Sequence, residues 1–323
     1  MKKRWACLLF VLLARVISAQ QLDEITKWAT IAQNEDRLSF DVVYGEANNV
    51  PLRLDVITQG SPTQPRPTLI YFHGGGWLEG TKESTLLYML PYLALGMNTV
   101  NVEYRMAPES LAPAAIEDSR CALHWVYDHA AQYGFDTSKI VVSGHSAGGH
   151  LALMTGLLRP DDGFDNSCRR LSDEWREPTI HDVKVAAIIN FFGPTDLARL
   201  VEGPTTRNFA VRWFGGLPDR QQLAKRVSPV TYARSGAPPT LTIMGDKDPI
   251  VPFAQAVELH EALDKDGVPN QLLTIKGGGH GSTTPFAWNR EQFLEAQEAV
   301  VAFLRKYQIV GANPEPKLGT NFH

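Results

Sequence analysis

Four glycine-containing segments in this 323-residue chain hold groups that together can carry out acyl transfer. The pentapeptide Gly144-His145-Ser146-Ala147-Gly148 follows the apolar run Ile140-Val141-Val142-Ser143 and precedes the helix-like Leu151-Ala152-Leu153-Met154. A serine on a sharp strand-to-helix turn presents its hydroxyl outward, and the helix N-terminus favours a developing anion. The pentapeptide alone is weak evidence, because at ordinary Gly and Ser usage it arises by chance in roughly one chain of this length in ten. Its strand–turn–helix context makes it specific. His73-Gly74-Gly75-Gly76-Trp77 closes another apolar run, Leu69-Ile70-Tyr71-Phe72, and three glycines leave backbone amides free to face a substrate oxygen. We assign Gly75, Gly76 and Ala147 as the expected oxyanion donors, each worth about 10²–10³ in rate; a merely flexible glycine turn is the alternative.

A serine hydroxyl is inert until a base takes its proton, and in a strand–turn–helix arrangement the partners follow in the order Ser, acid, His. Gly245-Asp246-Lys247-Asp248 ends the run Thr240–Met244, and Gly277-Gly278-Gly279-His280 ends the run Leu272–Lys276. Asp248 lies 102 residues after Ser146 and His280 a further 32, room for one intervening block and then one helix–strand unit. His280 is therefore the expected base and Asp248 the carboxylate that orients it. A histidine base predicts a rate that falls below about pH 6–7. Asp246 competes for the acid role. His145 and His150 sit on the elbow and its helix, where a general-base approach is not allowed. His73 reads as a loop brace, and Asp196 lies too early in the chain to be the preferred acid.

These loops need strands to carry them. Strand-like runs cover Leu38–Tyr44, Leu52–Ile57, Thr68–Phe72, Asn98–Glu103, Lys139–Ser143, Val183–Phe191, Thr240–Gly245 and Gln271–Lys276, the later ones continuously apolar as befits strands covered on both faces. Helical spacing falls between them at Pro113–Ala131, Ser146–Leu158, Pro252–Asp266 and Asn289–Tyr307. In the last, Phe293, Ala296, Val300, Phe303 and Leu304 form the inward stripe. Alternation of this kind means βαβ units, hence an α/β fold with a mostly parallel eight-stranded sheet and helices on both faces. Two stretches break the alternation, Arg159–Asp182 and Glu202–Ser228. Both are expected to emerge at the catalytic edge of the sheet as pocket walls or lids, with plain surface loop as the alternative.

The N-terminus places Lys2, Lys3 and Arg4 before the apolar run Ala6–Ile17 and small residues at Ser18-Ala19, the order of a secretory signal cleaved after Ala19; an uncleaved anchor is the alternative. The expected organisation is a signal at 1–19, one catalytic domain at 20–310, and a fraying tail at 311–323. Removing the signal takes four basic residues and no acid, leaving 27 basic against 35 acidic residues, a net charge of −8. With no basic stripe, nucleic acid is excluded as a partner. No further apolar run reaches spanning length. Hydrophobic content of 44% suffices for a core. Cys121 and Cys168 remain after cleavage, and a disulfide and buried free thiols are equally open. Neither has partners at metal-ligand spacing, so no metal is expected.

The chain resembles the α/β-hydrolase esterases, in particular the feruloyl-esterase-like (BD-FAE type) branch, from about Tyr44 to Phe303. The residues that carry the resemblance are Leu52–Asp55, His73–Trp77, Glu103–Arg105, Pro113–Asp118, Gly144–Leu151, Phe192–Asp196, Ser228-Pro229 and Pro238–Pro252. It implies ester hydrolysis by a serine triad without a cofactor, favours Asp248 through Asp-x-x-Val-Pro, and marks Arg105 and Asp118 as structural. The related hormone-sensitive-lipase group usually has Asp where this chain has His145. The implied activity is a secreted carboxylesterase on short-chain or aromatic acyl esters, such as feruloyl or acetyl groups on plant polysaccharide, the substrate being analogy alone. A kynurenine-formamidase-like amidase and a non-catalytic binding protein are the alternatives. The export signal weighs against the first and the intact triad against the second.

Overall fold

A computed structural model describes residues 36–168, 182–281 and 287–311, together with Thr26, Thr30 and Gln33. The expected signal at 1–19, the tail beyond Gly311 and most of the first insertion lie outside the described residues. Eight strands form one sheet: β1 (Asp36–Ala47), β2 (Val50–Gln59), β3 (Arg66–Phe72), β4 (Asn98–Val102), β5 (Phe135–His145), β6 (Ala187–Phe191), β7 (Thr240–Gly245) and β8 (Asn270–Ile275). Their order is β1-β2-β4-β3-β5-β6-β7-β8. β1 and β2 are antiparallel, as are β2 and β4, and every later pairing is parallel. The first two strands thus form a hairpin edge on a parallel sheet.

The apolar central strands have a core on each side. Ile70, Val100, Val142 and Ile188 point to one face, with the helices Ala114–Asp128 and Ala147–Leu157 packed over them. Leu69, Val141, Ile189 and Leu241 point to the other, against Ala296, Val300, Phe303 and Leu304 of the helix Arg290–Lys306. β4 is buried throughout although its sequence, Asn-Thr-Val-Asn-Val, alternates with polar residues. The two asparagine amides are met internally: Asn98 accepts from the Gln59 N–H and donates to the Gly134 carbonyl, and Asn101 donates to the carbonyl of Lys82. Such pairing removes most of the penalty of burying an amide.

Three details differ from the sequence reading. β6 starts at Ala187, because Val183 and Val185 are buried as loop without joining the ladder. The stretch after the three-glycine loop is helical at Lys82–Met89 and Leu90–Ala94, which weak apolar spacing concealed. The first insertion is also misplaced at its described ends. Arg159–Cys168 follows the C-terminus of the elbow helix, so it leaves at the edge of the sheet opposite Ser146. There Leu158, Arg159, Lys184 and Pro238 line a separate hollow below the starts of β6 and β7. A chain leaving a strand at the catalytic edge returns through its helix to the other edge, so the segment after the elbow helix starts away from the serine.

That opposite edge is fastened firmly. Cys121 and Cys168 form a disulfide. Next to Cys121, the buried Arg120 makes two 2.6 Å hydrogen bonds to Asp165, while His124 lies 3.0 Å from the same carboxylate. Near β4, Arg105 grips Asp118 through Nε and Nη2, the latter at 2.7 Å, which agrees with a structural role for both.

Candidate active site

Ser146 stands between β5 and its helix with φ 54° and ψ −120°, a region sparsely used by residues other than glycine. Its N–H is held by the Phe191 carbonyl at 2.9 Å and its carbonyl accepts from His150 at 3.0 Å. The turn is so tight that a Cβ on Gly148 would lie 2.0 Å from the carbonyl oxygen of Phe72. Only glycine fits there, which is why the pentapeptide ends as it does.

The loops after β7 and β8 bring the other two groups in. Asp248 divides its carboxylate: Oδ1 accepts from the N–H groups of Ile250 (2.8 Å) and Val251 (2.9 Å), and Oδ2 faces His280 Nδ1 at 2.7 Å. A carboxylate there requires Nδ1 to carry the proton, leaving Nε2 as an acceptor. Nε2 lies 2.8 Å from Ser146 Oγ. The Asp248 side chain is fully buried and that of His280 nearly so. The arrangement can move the serine proton onto the imidazole and hold the resulting cation beside a shielded carboxylate.

The competitors are occupied elsewhere. Asp246 Oδ1 accepts from Gly277 N at 2.7 Å, and Asp196 pairs with Arg199. His73 Nδ1 donates to the Gly74 carbonyl at 2.7 Å, the bracing position its sequence suggests. Because a peptide unit is planar and trans, fixing the Gly74 C=O also fixes the opposite direction of the Gly75 N–H. Gly75 and Gly76 line the same cleft as Ser146 and His280, and among the described residues their N–H groups have no intramolecular acceptor. Ala147 is the first residue of the helix, where an N–H has no intrahelical partner.

The cleft encloses about 500 Å³. Leu78, Tyr88, Phe192, Phe209 and Ile250 supply apolar surface, and Glu79, Asn208 and Arg212 supply polar groups. Asn208, Phe209 and Arg212 belong to a short helix, Asn208–Phe214, inside the second insertion. Trp213 of that helix stacks on Trp77 with ring centres 4.2 Å apart, and His150 meets both rings edge-on. His150 also donates through Nε2 to the Val227 carbonyl at 2.8 Å, and Arg207 Nε reaches the Ile250 carbonyl at 2.8 Å. The insertion is therefore tied to the glycine loop, the elbow helix and the acid loop together.

Two pocket residues escaped the sequence reading. Phe192 adopts φ 42° directly after β6 and packs 4.6 Å from the His280 ring. Tyr88 stacks on His145 at 5.0 Å. Phe192 had a signal, its place at the end of the strand beside the elbow; Tyr88 had none. Burial is the chief cause that lowers the His145 imidazole to about 4, and burial likewise lowers His150 to about 4. Both are thus neutral at ordinary pH. Among the described residues no cluster of His, Cys, Asp and Glu is arranged to hold a metal, and no helix is long and apolar enough to cross a membrane.

A family model described as BD-FAE matches residues 54–263. Esterase LipQ of Mycobacterium tuberculosis (strain ATCC 25618 / H37Rv) is 30% identical over 276 residues, which cover 82% of this chain and 61% of LipQ. Esterase LipC of the same strain is 30% identical over 232 residues, covering 68% of this chain and 54% of LipC. The chain therefore spans little more than half the length of these relatives. Among solved structures, Thermogutta terrifontis esterase 2 with propionate bound superposes with a TM-score of 0.69 at 26% identity, covering 87% of this chain and 97% of that one. The same esterase phosphoramylated by tabun gives 0.68 at 25% identity, with the same two coverages.

Proposed function

The chain belongs to the BD-FAE family, and on that premise we propose that it is a serine carboxylesterase acting through an acyl-enzyme on Ser146. Ser146 Oγ attacks the ester carbonyl carbon while His280 Nε2 takes its proton, and Asp248 stabilises the imidazolium. The oxyanion is received by the N–H groups of Gly75, Gly76 and Ala147. His280 then returns the proton to the departing alcohol, and a water activated by the same imidazole releases the acid. The observation that carries this reading is the unbroken relay from Asp248 through His280 to Ser146, at 2.7 and 2.8 Å, opening onto a cleft bordered by unpaired amides.

The size and mixed lining of the cleft favour short-chain or aromatic acyl groups, with feruloyl and acetyl esters of plant polysaccharide as the candidate natural substrates. We also propose export from the cytoplasm, supported by the leader-like N-terminus and by a disulfide, which persists in oxidising compartments. A fluorophosphonate probe tests the mechanism: one serine is labelled in the wild type and none in Ser146→Ala. Labelling that survives the substitution, or a wild type that never labels, overturns it. p-Nitrophenyl esters of rising chain length, run beside methyl ferulate and acetylated xylan, test the acyl range; a preference for long chains would contradict it.

A further inference from the structure

His145 is the residue of the elbow pentapeptide that the relay does not use, yet its ring lines the cleft. It reaches across from β5 to the three-glycine loop, where Nε2 lies 3.3 Å from the N–H of Gly74. On its other side Nδ1 lies 3.1 Å from the Tyr71 hydroxyl. An imidazole that accepts at Nε2 must carry its proton at Nδ1, so the ring donates to Tyr71 and receives from Gly74. Tyr88 covers the ring face, with an interplanar angle of 14°. The approach leaves no slack, since a Cβ on Gly74 would fall 2.8 Å from the His145 ring.

Gly74 is thereby held at both ends of its backbone. Its carbonyl accepts from His73 Nδ1 at 2.7 Å, and its N–H donates to His145. The next N–H along the chain is that of Gly75, the first of the amides facing the cleft. We infer that His145 is a positioning residue for ester hydrolysis, holding the Gly74 N–H so that the Gly75 and Gly76 amides stay aimed at the transition-state oxyanion. This inference rests on the Ser146 acyl-transfer reading. It requires a neutral ring, because a protonated Nε2 would confront the Gly74 N–H with a second donor, and burial keeps the ring neutral at ordinary pH. Donors aimed in advance act on the transition state more than on the ground state, so their loss appears in kcat and not in KM.

The test compares His145→Leu, His145→Asn and His145→Gln with wild type on p-nitrophenyl acetate, together with the affinity of an alkylboronic acid that mimics the tetrahedral adduct. A glutamine amide oxygen extends about as far as Nε2 and can accept from Gly74; an asparagine stops near Nδ1 and leucine accepts nothing. The expected pattern is a kcat lower by about 10–100-fold in the Leu and Asn variants with KM little changed, and a matching loss of boronate affinity. Gln is expected to keep kcat within about fivefold of wild type. Should Leu fail to fold, Asn, which is polar and small, still separates reach from bulk. Equal activity in all three variants, or a loss confined to KM, overturns the role of His145. An inert wild type overturns the acyl-transfer reading instead, so the two failures are distinguishable.

Discussion

Substitution of Gly75 by alanine probes the amide cradle most directly. Gly75 has φ +115°, and an added Cβ would lie 1.8 Å from the carbonyl oxygen of Glu79. Carbon and oxygen approach no closer than about 3.3 Å in ordinary contacts, so one of the two must move by about 1.5 Å. Glu79 has little freedom to give way, because its N–H and that of Leu78 both donate to the Gly75 carbonyl, at 3.2 and 3.0 Å. The displacement therefore falls on Gly75 and its neighbour. A shift of about 1 Å stretches an ordinary N–H···O contact beyond hydrogen-bonding range. Loss of one such donor lowers kcat by about 10²–10³, equivalent to about 2.7–4 kcal/mol of transition-state stabilisation. The assay is steady-state hydrolysis of p-nitrophenyl acetate beside a thermal melt. The control is Gly216→Ala, where an added Cβ meets nothing within 4 Å. We expect a folded Gly75→Ala protein with kcat reduced at least about 100-fold and KM within about threefold of wild type. A kcat within about fivefold of wild type would refute the assignment of this loop as the oxyanion site.

Asp165→Ala strands the buried guanidinium of Arg120 without its counter-charge, and the expected loss is about 3–5 kcal/mol in urea unfolding; less than about 1 kcal/mol would contradict the clamp. The disulfide closes a segment of 47 residues, for which chain entropy sets a ceiling of about 4 kcal/mol. Reduction should lower the urea midpoint while leaving kcat intact, because the bond lies at the edge opposite the cleft; a loss of activity without a change in midpoint would be inconsistent with that placement. His145 and His150 each fall from 6.5 to about 4 on folding, so the unfolded chain binds more protons between those values. Their contribution is complete above about pH 6.5 and drains away as pH falls towards 4, by at most about 3 kcal/mol apiece. Denaturation midpoints measured at half-unit steps from pH 7 to pH 4.5 should decline steadily, and a flat profile would show that these rings are not buried as described.

Much of the fold and of the site can be read from the residues themselves, because their requirements are local. The turn at Ser146 tolerates only glycine at position 148, the loop at Gly74–Gly76 needs backbone without side chains, and strands covered on both faces need unbroken apolar runs. Each is a demand on residue type at a fixed offset, so it leaves a mark in the sequence. What tertiary structure alone decided are the relations between segments distant along the chain. Asp246 and Asp248 are chemically alike, and only the path of the loop turns one towards Gly277 and the other towards His280. Cys121 and Cys168 carry no label of pairing. Tyr88 becomes a pocket residue only through what packs beside it, and His145 gains its contact with Gly74 because parallel strands lay two loops side by side. Contacts of this kind depend on distances in space, which spacing along a chain does not encode.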